Sequence, residues 1–281
     1  MRLGRKNPVY ASLNGRLLLR EKAAIPVTDA GYLLGLGVFE TVRVEDGVPL
    51  FLEDHLKRLA IGLHTIKIEK PAWDPAGEID RVIEKNRIAT AVIRITVSGG
   101  PPGGPSTLVI VPRPIPELKL PIHIGISPYP KDPKDAFAGL KTTSRLLYGL
   151  THRWAESHGC FDALIPNHQG DLAEGSISNL FCVMKGLILT PPLSRGILAG
   201  VTRGHLLSIC KRRKFPFKES PLTLRDLERA DEIFLSNTSR GVLPVDRIRG
   251  LRRTLPGLKG PVAVKLQELY IRRVELYKKR H

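Results

Sequence analysis

A proline-rich segment, Pro112–Pro121, constrains the fold more than any other feature of this sequence. Its ten residues hold four prolines, and proline cannot donate the backbone hydrogen bond that the interior of a helix or a central strand needs. Such a segment is typical of a linker. Strand and helix patterns occur on both sides of it. The sequence therefore predicts two lobes, a smaller one over residues 1–114 and a larger one over residues 115–281.

Turn and cap residues divide the first lobe into short elements. Asn14-Gly15 and Asp46-Gly47 each separate two β-rich runs and predict two hairpins, the second with strands at 39–44 and 49–52. Asp74-Pro75 predicts a helix start. Strands and helices do not alternate strictly along the chain, so an α+β fold is expected rather than a doubly wound parallel sheet.

The second lobe is expected to carry longer helices between short strands. Thr142–His158 has Leu146, Leu150 and Trp154 at helical spacing. Helices are also predicted over Thr202–Arg212 and at the C-terminal end of the chain.

Composition narrows the class of protein. The chain has 281 residues, of which 42% are hydrophobic, enough for a packed interior. No apolar run is long enough to span a membrane, and no apolar segment follows the basic N-terminal residues as in a secretory signal. The three cysteines lack a C-x-x-C spacing, so neither a disulfide framework nor a metal site is expected. A cytoplasmic protein is the simplest interpretation.

The net charge of +17 leaves two interpretations open. A basic nucleic-acid-binding module without catalysis is one of them, and steep salt dependence would be its signature. The basic residues are scattered, however, and aromatic residues make up only 6% of the chain. We therefore expect neither a nucleic-acid nor a membrane partner. A cationic surface also attracts small anionic substrates.

Three segments carry residues suited to chemistry. Lys141 lies among hydroxyl residues in Gly139–Arg145, Glu174 precedes a Gly/Ser-rich turn in Asp171–Phe181, and Gly196–Arg203 opens a predicted helix. The free amides of a helix N-terminus bind phosphate well. Taken singly, each segment also fits an ordinary structural role.

Taken in order, these segments and four further blocks resemble the class IV pyridoxal-phosphate-dependent family. That family includes branched-chain aminotransferases, D-amino acid aminotransferases and aminodeoxychorismate lyases. The further blocks are 29–43, 53–59, 230–239 and 243–245. The resemblance implies the two-lobed fold type IV architecture, similar to D-amino acid aminotransferase, and a homodimer. It also implies pyridoxal 5′-phosphate as cofactor.

The resemblance assigns roles to individual residues. Lys141 matches the lysine that carries the cofactor as a Schiff base and moves protons at the substrate. Glu174 matches the carboxylate that keeps the pyridine nitrogen protonated, and Arg58 matches the phosphate-binding arginine. Further phosphate contacts are implied from the amides of Val201 and Thr202 and from the hydroxyls of Thr238 and Ser239.

Arginines are the candidate substrate-binding residues. In relatives, arginines in the blocks of Arg43 and Arg94 can face the substrate carboxylate, although a surface salt bridge explains each of them equally well. Arg145, in the place where aminotransferases often have a tyrosine, is similar to the lyases. His55 is expected to be structural or solvent-facing.

The resemblance favours one branch of the family. Arg145 and the segment 235–245 look more like the lyases, and the segment 97–104 lacks the Arg-x-His pair of D-amino acid aminotransferases. The leading hypothesis is a 4-amino-4-deoxychorismate lyase, which supplies p-aminobenzoate for folate biosynthesis. The alternative is an aminotransferase that passes the amino group of a branched-chain or other small amino acid to 2-oxoglutarate.

Overall fold

The computed structural model describes residues 9–281, which divide into two compact units. The first unit comprises the described residues through Glu117 together with Leu140–Arg145 and Leu276–His281. The second comprises Leu118–Gly139 and Leu146–Glu275. The short segment that contains Lys141, assigned from the sequence to the C-terminal lobe, is therefore part of the first unit in this division.

The first unit is built on one six-stranded antiparallel sheet. Its strands are β1 (Tyr10–Leu13), β2 (Arg16–Leu19), β3 (Gly37–Glu45), β4 (Val48–Pro49), β5 (Thr90–Ser98) and β6 (Thr107–Arg113), in the order β2-β1-β6-β5-β3-β4. Its helices are α1 (Ala30–Leu33), α2 (Leu52–Thr65) and α3 (Pro75–Asn86). Both hairpins predicted from Asn-Gly and Asp-Gly turns are confirmed, but the second one is shorter than predicted because Leu52 begins α2.

Helices α2 and α3 cover the sheet and form the first core. Leu59 and Leu63 of α2 and Ile79 and Val82 of α3 pack in one buried cluster with apolar residues of β3, β5 and β6. The predicted start of α3 is confirmed, since the Asp74 side chain accepts hydrogen bonds from the amides at the beginning of that helix.

The second unit contains two smaller sheets. Its strands are β7 (His123–Ile126), β8 (Asp162–Pro166), β9 (Leu172–Gly175), β10 (Asn179–Met184), β11 (Leu187–Thr190), β12 (Phe217–Glu219), β13 (Glu232–Asn237), β14 (Gly241–Pro244) and β15 (Arg247–Ile248). They form a sheet in the order β12-β11-β10-β13-β14 and a sheet in the order β15-β7-β8-β9. Its helices are α4 (Leu146–Ser157), α5 (Val201–Arg213), α6 (Leu224–Arg229) and α7 (Pro261–Lys278), the last residues of which belong to the first unit.

The prediction of a helix over Thr142–His158 is wrong at its N-terminal end, because α4 begins at Leu146. The preceding residues extend along β3 instead. Thr142 forms a bridge with Val38, the Phe39 amide donates to the Lys141 carbonyl at 2.9 Å, and the Thr143 amide donates to Gly37. Those tertiary hydrogen bonds hold the Lys141 segment against the first sheet, which local sequence preference does not reveal.

The mixed architecture confirms the α+β class. Among the described helices, none combines the length and the apolar character that crossing a membrane requires.

Candidate active site

Glu174 is a buried carboxylate of the second unit. It lies on β9 opposite Ile165 of β8, with 3% of its surface exposed. Its Oε2 accepts a hydrogen bond from the Leu198 amide at 2.9 Å. Its Oε1 accepts from Lys131 Nζ at 2.9 Å and from the Tyr148 hydroxyl at 3.1 Å. Burying a polar group is costly unless it is hydrogen-bonded, and both oxygens of Glu174 have donors here.

The turn that follows Glu174 is held by a second buried carboxylate. Asp162 accepts hydrogen bonds from the Ser176 amide at 2.8 Å and the Ser178 hydroxyl at 2.6 Å. Burial raises the pKa of Asp162, and the hydrogen bonds from these serines act in the opposite direction. A Cβ at position 175 would lie 2.2 Å from the Asp162 carboxylate, so only glycine fits there. Sequence reasoning missed Asp162, which stands at the start of an apolar strand.

The N-terminus of α5 is a suitable place for a phosphate. This helix has 13 residues, Gly200 at its N-cap offers no side-chain cap, and its first turn has no acidic residue. Gly200 thus supplies no side chain to cap the amides of Val201 and Thr202, and the helix dipole favours an anion there. A Cβ on Gly200 would lie 2.0 Å from Asn179 Oδ1, so the close approach requires glycine.

Asn179 connects this helix start with Glu174 and with the next strand. Its Nδ2 donates to the Leu198 carbonyl at 3.0 Å and lies 3.5 Å from Glu174 Oε2. Its backbone pairs with Ser236 of β13. The Ser236 hydroxyl is buried and has no hydrogen-bond partner within residues 9–281, and the turn after β13 carries Thr238 and Ser239, which are half-buried. The second unit thus brings a carboxylate, helix amides and hydroxyls together.

In the first unit, Arg58 is held by a buried carboxylate that the sequence analysis did not single out. Arg58 Nε and Nη2 donate to the two oxygens of Glu40, each at 2.7 Å. His55 Nδ1 lies 2.8 Å from the same carboxylate. His55 is fully buried, so the structural interpretation is confirmed and the solvent-facing one is wrong. Glu40 alternates with Val38, Val42 and Val44 on the buried face of β3. A carboxylate on that apolar face is the signal that could have revealed this cluster.

Charge and burial set the protonation states of this cluster. Burial alone would raise the pKa of Glu40, but hydrogen bonds and charge from Arg58, and then from His55, lower it to about 2. Burial lowers the pKa of His55 below 6.5. At neutral pH, Glu40 is therefore ionised and His55 is neutral, so Glu40 forms an ion pair with Arg58 and a neutral hydrogen bond with His55.

Three cationic side chains converge on the ring of Phe39 in the same unit. The Arg94 guanidinium lies 3.7 Å from the ring centroid, Lys141 Nζ lies 4.6 Å from it, and the Arg145 guanidinium 5.4 Å. Burial lowers the pKa of Arg94 to about 10, and the charges of Arg113 and Arg145 act in the same direction. The attraction of the aromatic face offsets part of this repulsion. A cluster of this kind favours an anion.

Arg43 forms a surface salt bridge, one of the two roles that the sequence left open for it. Its Nη2 lies 2.7 Å from Glu45 Oε2, and both side chains are about a quarter exposed. A surface salt bridge explains its position on β3, and a role in substrate binding stays a prediction.

The predicted site residues are shared between the two units. The first unit contains Lys141, Arg58 and the candidate substrate arginines. The second unit contains Glu174, Val201, Thr202, Thr238 and Ser239.

Two residues that contact Glu174 were not predicted as site residues, namely Lys131 and Tyr148. Lys131 stands in a loop rich in proline and charge, and no spacing or motif distinguishes it there.

Comparisons with known proteins agree on one family. The family model described as amino-transferase class IV matches residues 37–248. A putative branched-chain-amino-acid aminotransferase of Methanocaldococcus jannaschii is 31% identical over 254 residues, which is 85% of this chain and 87% of that protein.

Solved structures give the same picture. The branched-chain aminotransferase of Thermoproteus uzoniensis, solved with norvaline, has a TM-score of 0.86 at 27% identity, covering 95% of each chain. A putative 4-amino-4-deoxychorismate lyase of Legionella pneumophila has a TM-score of 0.84 at 26% identity, covering 90% of this chain and 96% of that one.

Proposed function

Since the chain belongs to the class IV aminotransferase family, whose enzymes use pyridoxal 5′-phosphate, we propose that it is a 4-amino-4-deoxychorismate lyase. The reaction would split the substrate into p-aminobenzoate and pyruvate. The chain is an enzyme of fold type IV, and the identity of its substrate is the part that we propose.

The residues present fit the cofactor. The N-terminus of α5, which has no side-chain cap from Gly200, and the Ser236 hydroxyl, which has no partner among residues 9–281, offer donors for a phosphate dianion. The buried Glu174 offers a carboxylate for a pyridine N–H. When bound, pyridoxal phosphate withdraws electrons from the substrate carbon that carries the nitrogen. We propose Lys141 as its point of attachment and Arg58, held by Glu40, as a further phosphate ligand.

The cationic cluster around Phe39 is the observation that carries the proposal. Arg94 and Arg145 lie within 5.4 Å of the ring that Lys141 also contacts. 4-Amino-4-deoxychorismate has two carboxylates, and an arginine binds a carboxylate with two parallel hydrogen bonds. An amine placed among guanidiniums is suited to a dianionic substrate. Ser144 and Arg145 stand where the usual aminotransferase pattern has an asparagine and a tyrosine, and an arginine in the second place is similar to the lyases.

Lys141 would move the proton in this reaction. Its amine takes the proton from the substrate carbon next to the nitrogen and returns a proton to the methylene carbon of the departing pyruvate. The C–O bond that joins the enolpyruvyl group to the ring breaks, and the electron pair of the removed C–H bond becomes part of the ring. The ring becomes aromatic, which supplies driving force. No oxidant or second substrate is required.

A direct assay tests the proposal. Purified holoenzyme is incubated with 4-amino-4-deoxychorismate, and pyruvate and p-aminobenzoate are quantified. We expect the two products in equal amounts, and none with the Lys141→Ala variant. Failure to form them, together with exchange of amino groups between branched-chain amino acids and 2-oxoglutarate, would overturn the lyase assignment.

The aminotransferase remains the second candidate because of the comparisons. The Methanocaldococcus relative and the Thermoproteus structure are both named as branched-chain aminotransferases. Lys141 and Glu174 would serve an aminotransferase as well as a lyase, so the cofactor site does not distinguish the two activities. The product assay described above does. The homodimer and the cytoplasmic location stay predictions.

Arg145→Met provides a second test of the substrate class. The variant removes one guanidinium from the cluster, so KM for 4-amino-4-deoxychorismate should rise by about tenfold to hundredfold, the worth of a charged hydrogen bond. Arg153→Met, at an exposed position of α4, is the matched control and should leave KM unchanged. Equal KM values for wild type and Arg145→Met would exclude Arg145 from substrate binding.

A further inference from the structure

Lys131 is a buried lysine that none of the roles described so far explains. Only 4% of its surface is exposed. Its Nζ lies 2.9 Å from Glu174 Oε1, 2.8 Å from the Tyr148 hydroxyl, 2.5 Å from the Gly196 carbonyl and 3.3 Å from the Ala138 carbonyl. Burying an ammonium group costs several kcal/mol unless it is paired and its donors are satisfied. Lys131 meets both conditions, with Glu174 as its one anionic contact among these four.

The hydrogen bonds of Glu174 show which oxygen Lys131 holds. Lys131 and Tyr148 both donate to Oε1, whereas Oε2 accepts from the Leu198 amide at 2.9 Å and is 3.5 Å from Asn179 Nδ2. A carboxylate has about four lone-pair sites, so these four donors already use its capacity. A further donor must displace one of them. Of the four contacts, that of Asn179 with Oε2 is the longest, and Asn179 also donates to the Leu198 carbonyl at 3.0 Å. Asn179 is therefore the donor that a pyridine N–H would displace from Oε2.

We propose that Lys131 is a positioning residue that holds Glu174 by its Oε1, so that Oε2 is the oxygen that meets the pyridine N–H. Lys131 Nζ forms a buried ion pair with Oε1 at 2.9 Å. Two donors on Oε1 restrict rotation of the group. The inference rests on the proposed role of Glu174 and is independent of whether the reaction is a lyase or a transfer reaction.

Lys131→Met tests this inference, because methionine keeps an unbranched side chain but removes the charge. Pyridoxal 5′-phosphate is titrated into the apoprotein, and both its Kd and the visible absorption maximum of the bound cofactor are measured. We expect Kd to rise by about tenfold to hundredfold and the absorption maximum to shift, because the ring nitrogen loses a fixed anion. Lys131→Arg restores a cation and should recover most of both values.

Two further variants make the result decisive. Lys134→Met, an exposed position on the same loop, is the matched control and should resemble wild type in both readouts. If Lys131→Met does not fold, as judged by circular dichroism and thermal unfolding of the apoprotein, Lys131→Gln replaces it with the same readouts. An unchanged Kd and spectrum would overturn the inference, and so would a weaker Kd with an unchanged spectrum that arginine does not restore.

The Glu174→Gln variant separates this inference from the proposal beneath it. If Glu174→Gln leaves Kd and the absorption maximum as in wild type, the role of Glu174 itself is wrong. If Glu174→Gln changes both and Lys131→Met changes neither, only the role of Lys131 fails.

Discussion

Replacing Lys141 with alanine is expected to lower turnover by about 10²- to 10⁴-fold, from the loss of proton transfer at the substrate. The fold should survive, because the backbone carbonyl of Lys141, and not its side chain, accepts the hydrogen bond from the Phe39 amide. Turnover is measured by product release, and folding by circular dichroism and thermal unfolding.

A lysine at an exposed position supplies the control. Lys211 lies on the solvent-facing side of α5, and Lys211→Ala should keep wild-type turnover. If Lys141→Ala stayed within tenfold of wild type while folded, another residue would have to move the proton.

The second large effect is expected from Glu40→Gln. The substitution leaves the half-buried Arg58 guanidinium without its anion, and breaking a buried ion pair from one side costs about 3–5 kcal/mol. The free energy of unfolding, measured by urea denaturation of the apoprotein, should fall by that amount. Affinity for pyridoxal 5′-phosphate should also fall, because Glu40 orients the proposed phosphate ligand.

Glu45→Gln is the control for Glu40→Gln. Glu45 pairs with Arg43 at 2.7 Å and with Lys278 at 3.4 Å, and about a quarter of its side chain is exposed. A salt bridge at the surface contributes about 1 kcal/mol or less. If the free energy of unfolding fell by similar amounts in the two variants, the buried ion pair of Glu40 would contribute no more to stability than a surface salt bridge, contrary to our expectation.

The cluster of Glu40, Arg58 and His55 should make the stability of the protein depend on pH. The pKa of Glu40 is about 2 in the folded protein and 4.5 in its ordinary state. The contribution of the ionised carboxylate to the free energy of unfolding is therefore fully present above pH 4.5 and is lost as the pH falls towards 2. That shift corresponds to about 3 kcal/mol. His55, whose pKa is lowered by burial, adds a loss that begins as the pH falls below 6.5. In Glu40→Gln the loss between pH 4.5 and pH 2 should be smaller.

Local signals in the sequence predicted most of the elements. The Asn14-Gly15 and Asp46-Gly47 hairpins and the helix capped by Asp74 depend on residues adjacent in the chain, and the structure has all three. The helix predicted from Thr142 onward failed in its first turn, because pairing of this segment with β3 overrides local helical preference. Pairing of that kind depends on residues about a hundred positions away.

The candidate site also contains residues that local sequence predicts and residues that it does not. Lys141, Glu174 and the start of α5 could be predicted as site residues because they stand in ordered blocks that resemble a known family. Lys131 and Asp162 were missed because their importance comes from contacts with residues distant in sequence, such as Lys131 with Glu174 and Asp162 with Ser176. A buried charge can be recognised only when its partner is known.

The most direct test of the account is to locate the cofactor on the chain. The holoenzyme is treated with borohydride, which makes the bond between lysine and cofactor permanent, and is then digested and analysed by mass spectrometry. We expect the adduct on Lys141 alone. An adduct on Lys131, the buried lysine beside Glu174, or no adduct at all, would contradict it.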